Sequence, residues 1–292
     1  MAADVTAASI TAIVTGHRRT DDLIKTLRIL RSCEPAPAEI IVHIDGGERG
    51  VASALAREYP GLPVLVSDDC VGPGGGRNKL MAAASHEIVA SFDDDSYPID
   101  RDYFERVQQA FARFPDAWVV NSRVFHLNER IEPDTAAAEW VADFSGGGCA
   151  YRRERFLQTG GYVPLPTAYG MEEVDFGLRV HALGGRVLRS GSLRVFHHSD
   201  LSHHNDPAIT SASIVNVALL AYLRYPPSMW AIGAAQCANR IQWLLRNGRR
   251  RGVWSGLVSI PSAIAEHRRE RDPLPGRTVR SFLALRRDPR PA

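Results

Sequence analysis

Apolar positions in the first hundred residues follow two periods that alternate along the chain. Ser9–Thr15 (SITAIVT) is a short β-branched run stopped by Gly16. Asp21–Arg31 then places Leu23, Ile24, Leu27 and Leu30 on one helical face, with Thr20 or Asp21 as its N-cap. Glu39–Ile44 reads as a second buried strand ending at Asp45-Gly46-Gly47, Val51–Glu58 as a helix, and Pro63–Ser67 as a third strand. Asn78–Ala84 is helical, and Glu87–Phe92 is a fourth strand that closes on Asp93-Asp94-Asp95. Strands separated by helices predict right-handed βαβ units, and so an α/β fold with an open, mostly parallel, Rossmann-like sheet flanked by helices. Ligands of such sheets bind beyond the carboxyl ends of the strands. Thr15-Gly16-His17, Asp45-Gly46-Gly47 and the aspartate triplet all fall there.

From Ala117 to about Asp206 the pattern is more mixed. Ala117–Phe125 reads as a strand, Gly146-Gly147-Gly148 as a tight loop, Glu172–Leu183 as a helix, and Arg186–Arg189 and Leu193–Phe196 as short strands. Beyond Pro207 the pattern turns helical, broken at Pro226-Pro227, Pro261 and Pro273–Pro275. The expected organisation is an α/β domain over 1–206, with halves of about 1–97 and 98–206, and a helical region over 207–292.

Composition narrows the function classes. Hydrophobic residues make up 45% and charged residues 23% of the 292 residues, an ordinary globular balance. A net charge of +2 excludes nucleic-acid binding by bulk charge. The longest apolar runs, Ile214–Leu223 and Met229–Ala238, are ten residues each, too short to span a bilayer. The first ten residues lack the basic start and long apolar stretch of a signal peptide, so a cytoplasmic protein is expected. Cys33, Cys70, Cys149 and Cys237 lie far apart and suggest neither a zinc cage nor a dense disulfide framework.

Four constellations carry candidate chemistry. Asp93-Asp94-Asp95 ends an apolar strand, and three adjacent carboxylates repel one another unless a cation neutralises them. Their oxygens suit magnesium or manganese; the plainer reading is a solvated loop before the helix that follows Pro98, with Asp100 as that helix's cap. Glu172, Glu173 and Asp175 open a helix, where acidic residues complement its dipole, yet a carboxylate beside the Tyr169-Gly170 loop can serve as a general base. His197-His198 ends a strand, with His203-His204 shortly beyond; adjacent strand residues point to opposite faces, so only one of the first pair reaches any single site. Val71–Asn78 is a glycine-rich stretch before a helix, with Arg77 able to meet phosphate, but it is neither a Walker loop nor a dinucleotide fingerprint.

Taken in chain order, these residues resemble the inverting family 2 glycosyltransferases of GT-A fold, from Thr11 to about Ser202. The family's first strand ends near a Thr, as at Thr15, and its second in an Asp that reads the nucleotide base, here Asp45. Its G-x-x-x-A-R-N stretch stands here as Gly72–Asn78, with Gly76 replacing Ala. Its D-x-D metal motif falls on Asp93-Asp94-Asp95, its glycine-rich acceptor-side strand on Gly146–Ala150, and its R-R-x-x-F pattern on Arg152–Phe156. Its E-D base motif aligns with Glu172-Glu173, Glu replacing Asp at the second place, and its late metal-binding His with His197.

The resemblance implies a metal-dependent, inverting hexosyl- or deoxyhexosyltransferase. The donor would be a UDP-, dTDP- or GDP-linked sugar, the acceptor a polysaccharide, a lipid-linked glycan or a small natural product, and the cofactor Mn2+ or Mg2+. It implies donor contacts from Thr15, His17, Arg18, Asp45, Arg77, Asp93 and Asp94, metal ligation by Asp95 and by His197 or His198, and a base at Glu173 or Glu172. Gly147, Gly148 and Tyr169 fall on the acceptor side. A sugar nucleotidyltransferase would want glycines in the loop after the first strand, which here is Gly16-His17-Arg18-Arg19. A non-catalytic sugar-nucleotide-binding module should have lost acidic residues that this chain keeps.

The C-terminal region is basic, with thirteen Arg between Arg240 and Arg290. Ser255, Ser259 and Ser262 dilute its apolar face and Pro261 interrupts it. The expectation is that it closes the acceptor side or mediates self-association as a homodimer, with at most peripheral contact at the inner face of a membrane.

Overall fold

The computed structural model describes residues 8–167, 169, 171–200 and 202–292, except the side chains of His203 and His204. The chain runs β1 (Ala8–Gly16), α1 (Thr20–Arg31), β2 (Pro37–Ile44), α2 (Arg49–Glu58), β3 (Val64–Val66), α3 (Gly72–Ala83) and β4 (Ile88–Asp93). It continues through β5 (Ser96–Pro98), α4 (Tyr103–Arg113), β6 (Ala117–His126), β7 (Ala138–Val141), β8 (Gly148–Arg152), α5 (Arg153–Gln158), α6 (Glu172–Ala182) and β9 (Arg186–His197). Four helices follow, α7 (Pro207–Arg224), α8 (Trp230–Arg246), α9 (Val253–Glu266) and α10 (Gly276–Arg287), then the two-residue β10 (Arg290–Pro291).

One sheet holds the strands in the order β10-β7-β9-β6-β8-β4-β1-β2-β3, with β5 paired to β9. The first half, β3-β2-β1-β4, is wholly parallel, as buried apolar strands joined by helices require. The second half is mixed: β8 lies antiparallel between β4 and β6, while β6 and β9 run parallel. Thr15 is level with Asp93 across β1 and β4, so both side chains reach the same end of the sheet. Ile10, Ala12 and Val14 pack on one sheet face with Leu23 and Leu27 of α1, while Ile13 packs on the other with Leu80 and Met81 of α3.

Several local expectations are corrected. Helix α1 is preceded by Arg19, whose side chain makes no cap bond, and neither Thr20 nor Asp21 is its cap. Asp100 does not cap α4, which starts after Asp102; its carboxylate binds Arg194 on β9, at 3.0 Å from Nε. Arg186–His197 is one continuous strand, with a register irregularity opposite Asn121–Arg123, where two short strands were expected. Helix α3 begins at Gly72, so the glycines form its first turns although glycine disfavours helix. Tertiary packing selects them: a Cβ at Gly74 would lie 2.4 Å from Glu172 Oε1, and one at Gly76 2.6 Å from His43 Nδ1.

The C-terminal helices join the domain unequally. Helix α7 is long and apolar enough to cross a membrane by length and composition, which the ten-residue runs did not suggest, but half of it is buried. Its Arg224 donates from Nε to Asp175 Oδ1 at 2.5 Å, beside Arg179, tying α7 to α6. Leu219 and Leu223 of α7 share a core with Leu178 of α6 and with Val279 and Phe282 of α10. By contrast, α8 buries only Gly233 and Leu244, and α9 only Gly256.

Candidate functional site

A cavity of about 800 Å3 opens beyond the carboxyl ends of β1, β2 and β4, closed on its far side by the start of α6 and the Ser145–Gly147 loop. Asp93, at the end of β4, is tethered from two sides. Oδ1 accepts Thr15 Oγ1 at 3.2 Å and an Arg77 guanidinium nitrogen at 2.5 Å. Arg77 is buried on α3 and donates from Nε to Ser91 Oγ at 3.1 Å. Burial disfavours its charge, but Asp93 outweighs burial, with help from Glu173 among others, and holds the guanidinium protonated above its ordinary range. A Cβ at Gly147 would sit 2.1 Å from Asp93 Oδ2, so only glycine leaves room for this carboxylate. Ser96 Oγ fixes the arrangement by donating to the Gly147 carbonyl at 2.6 Å while accepting Asp93 N–H at 2.7 Å.

Asp94 and Asp95 are both buried, and Arg19 bridges them. The expected repulsion is therefore relieved by a side chain of the chain itself. Burial raises Asp94 to about 7, although Arg19 and the His17 N–H at 3.1 Å pull the other way. At Asp95 burial also raises the pKa, but His197 and Arg19 outweigh it and hold the carboxyl below its ordinary value. His197 Nε2 lies 3.1 Å from Asp95 Oδ1. Burial alone would lower His197, yet Asp95 outweighs burial and raises it. Asp95 Oδ1 is buried and, among the described residues, accepts no aligned hydrogen bond, the His197 nitrogen being its close neighbour. An orphaned carboxylate oxygen beside an imidazole nitrogen is a donor pair that Mn2+ or Mg2+ takes, with the remaining positions open to water and a substrate's phosphates. Among the described residues no group of three or more His, Cys, Asp or Glu surrounds one point, so those residues supply a pair of ligands.

Asp45 ends β2 and pins the start of α3: its two oxygens accept Val71 N–H and Gly72 N–H, each at 2.9 Å. Burial raises its pKa, but these bonds and the Cys70 thiol outweigh burial and keep it low. Glu172 and Glu173 begin α6, behind the Tyr169 segment that Asn216 of α7 holds by donating to the Thr167 and Tyr169 carbonyls at 3.0 and 3.1 Å. Glu172 is buried, with Oε1 accepting Gly74 N–H at 3.1 Å in the first turn of α3. Glu173 is half-buried, and its Oε1 accepts Gly146 N–H at 3.3 Å. Burial raises both carboxyls above the ordinary glutamate value; Glu173 adds to the rise at Glu172, and Arg77 opposes it at both.

The cavity brings together Thr15, His17, Asp45, Arg77, Asp93, Asp94, Gly147, Tyr169, Glu172, Glu173 and His197. Asp95 sits buried just behind, under Arg19 and His197. Two expected residues fall elsewhere. Arg18 is exposed and pairs with Glu48 at 2.8 Å; its φ of +66° turns the chain so that Arg19 meets the aspartates instead. Gly148 lies in β8, where a Cβ would meet Val124 Cγ2 at 2.8 Å, so it serves packing. His198 turns toward Asp22, with Nδ1 3.5 Å from Oδ1, and leaves His197 at the aspartates. The reading from sequence missed Arg19, His43, Ser145 and His126, whose ring is 5.3 Å from that of His197. Arg19 was signalled by its place in the loop after the first strand, and His126 by the end of a strand parallel to β9.

Residues 11–160 match the model of glycosyl transferase family 2. In fold the chain is similar to GalNAc-T7 in a complex with UDP, GalNAc and Mn2+ (TM-score 0.59, 13% identity), covering 77% of this chain but only 49% of that one. It is also similar to residues 1–349 of TarS from S. aureus with UDP-GlcNAc (0.59, 15% identity, 95% and 87% covered). A third likeness is the mannosyltransferase PcManGT from Pyrobaculum calidifontis with GDP-Man and Mn2+ (0.56, 16% identity, 97% and 82% covered). No curated protein sequence matches the chain.

Proposed function

Because the chain belongs to glycosyl transferase family 2, we propose that it moves a hexosyl or deoxyhexosyl group from a nucleotide-diphosphate sugar to an acceptor hydroxyl, with inversion and with a divalent metal. The observation that carries this reading is Glu173: a carboxylate with a raised pKa that reaches the cavity holding Asp93 and Arg77. UDP, UDP-GlcNAc and GDP-Man accompany the structural neighbours, and UDP- and GDP-sugars are the donors to try first, with dTDP-sugars beside them.

The donor's nucleotide lies toward Asp45 and His17, and its diphosphate toward the aspartates. Buried Arg77 holds Asp93 in place and supplies positive charge on the donor side. Mn2+ or Mg2+, when bound, would be held by Asp95 and His197 and would stabilise the charge developing on the departing diphosphate. An acceptor hydroxyl beside Glu173 attacks the anomeric carbon from the face opposite the diphosphate. The new C–O bond takes the oxygen lone pair, the old C–O bond leaves its pair with the nucleoside diphosphate, and the hydroxyl proton passes to Glu173. One displacement inverts the anomeric centre. Burial serves this step, because a base with a raised pKa holds the proton more firmly near neutral pH. Glu172, committed to Gly74 N–H, positions the α6 turn.

Thermal shift with a panel of nucleotide sugars tests the donor class, since a ligand that binds only the folded state raises its apparent stability. At least one UDP-, dTDP- or GDP-sugar is expected to raise Tm in Mn2+ and to do so less in a chelator. No shift with any member would count against the reading.

A further inference from the structure

The outer surface of the α8–α9 pair is apolar where a water-facing helix is normally polar. Helix α8 meets α7 along Gly233, where a Cβ would lie 2.4 Å from Ala221 Cβ, and α9 meets it at Gly256, 2.9 Å from the Ser211 carbonyl on the same test. The residues on the opposite side of α9, spaced along one ridge, are Trp254, Val258, Pro261 and Ala265, all exposed. Trp254 is 78% and Val258 60% exposed, high values for such side chains. On α8, Ala231, Ala235, Ala238 and Leu245 form the corresponding ridge and are also exposed, with one polar residue, Gln242, set among them. Between the two helices runs an apolar groove of about 630 Å3, floored by Ala218 and Tyr222 and walled by Ile241, Leu257 and Ile260. A contiguous apolar patch of this kind marks an interaction surface.

The charge around it says what the patch meets. No Asp or Glu occurs between Asp206 and Glu266, whereas Arg240, Arg246, Arg249, Arg250 and Arg251 all fall there. Arg246, Arg250 and Arg251 are exposed at the turn joining the helices and make no ion pair among the described residues. Arg240 and Arg249 flank the half-exposed Trp243 ring and, among the described residues, their side chains bond only hydroxyls of α7, Ser213 and Thr210, one terminal nitrogen of buried Arg249 having no partner there. Two copies meeting symmetrically through the patch would offer these arginines no acidic partner from 207–265 of the facing copy, which gives self-association no charge complementarity.

We propose that the outer face of α8 and α9 docks on an anionic lipid bilayer, with Trp254 and Val258 among the headgroups and Arg246, Arg250 and Arg251 on lipid phosphates. Tryptophan favours that interface, where one side of the ring is apolar and the other wet. Anionic lipid attracts each arginine enough to change partitioning about fivefold. The α7 floor carries both helices, and the same helix holds the Tyr169 segment of the cavity through Asn216, so docking would place the acceptor side near the bilayer surface.

The experiment sediments the full chain with phosphatidylcholine vesicles with and without about one-third phosphatidylglycerol, at ~0.15 M salt. Pelleting is expected only with the anionic vesicles. Arg246→Ser/Arg250→Ser/Arg251→Ser is expected to weaken it about 100-fold. Trp254→Ser/Val258→Ser should abolish it with an unchanged circular dichroism spectrum, because neither side chain is buried. Brominated lipid should quench wild-type tryptophan emission, and Trp254→Phe should remove most of that quenching. The proposal is overturned if the protein stays in solution with anionic vesicles, or if pelleting ignores both sets of substitutions. It is equally overturned if Trp254→Ser/Val258→Ser dissociates a dimer that does not bind vesicles.

Discussion

Glu172 and Glu173 are sequence neighbours whose carboxylates serve different walls of the cavity: the first takes the Gly74 N–H of α3 at 3.1 Å, the second the Gly146 N–H before β8 at 3.3 Å. The 100° step between adjacent helical residues is what parts them. It leaves Glu173 the less buried of the pair, the one proposed to meet an acceptor, and Glu172 a buried strut between two helix starts.

That division gives Glu172 a stability signature. Burial, then repulsion by Glu173, raise its pKa well above 4.5 in the fold. A carboxyl raised on folding binds its proton more tightly in the native state, so its contribution to stability is present below about 4.5 and is lost as pH rises through the folded value. Glu172→Gln keeps an oxygen for Gly74 N–H and has no charge to bury. Its Tm relative to wild type should therefore rise with pH, from near parity at pH 4 to its largest advantage at pH 8. A difference that stays flat across this range contradicts a buried, raised Glu172.

Arg19 gives the aspartate cluster a test that does not need turnover. With Arg19→Ala, Asp94 and Asp95 lose their bridging cation. A charged hydrogen bond is worth about 1.5–3 kcal/mol, and the half-exposed arginine brings this down to about 1–2 kcal/mol. In chelator the variant should melt a few degrees below wild type, and millimolar Mn2+ should recover most of the loss. A variant whose deficit ignores Mn2+ would show that these carboxylates do not take a metal.

Gly147→Ala probes the seat of Asp93. The new methyl would fall 2.1 Å from Asp93 Oδ2, and Ser96 ties the Gly147 carbonyl so that the loop cannot yield freely. Displacing a positioned group by about 1 Å costs on the order of 100-fold in rate. Transfer should fall by that order while far-UV circular dichroism stays unchanged; wild-type rates would refute the close packing.

The parallel half of the sheet was legible because β1, β2 and β4 are mostly buried apolar strands and α1 and α2 carry clean apolar stripes. The glycine run at the start of α3 was not, because its helicity is imposed by Glu172, His43 and Asp45 from distant parts of the chain. The aspartate triplet, the Glu172-Glu173 pair and the His197-His198 pair stood out by their places at strand and helix ends, but which member of each pair faces the cavity could not be told from sequence. Arg19 could not be told from Arg18 without the positive φ at Arg18, which decides which of the two faces the aspartates. Gly148 shows the converse, a glycine whose place in β8 is explained by close packing on Val124. The apolar residues of α8 and α9 were visible in the sequence, but which of them face the domain and which stay outside was not, because periodicity does not say which side of a helix faces the domain.

The central claim is that Glu173 is the base of a sugar transfer from a nucleotide diphosphate. The direct measurement is turnover and donor affinity of Glu173→Gln beside Glu172→Gln, with the donor found by thermal shift, in Mn2+. Gln keeps the shape of Glu173 and cannot accept a proton near neutral pH. Glu173→Gln should therefore lower turnover by about 100- to 10,000-fold with donor affinity little changed, while Glu172→Gln keeps most of the wild-type rate. A dead Glu172→Gln beside an active Glu173→Gln would contradict the assignment, and two fully active variants would contradict base catalysis at this site.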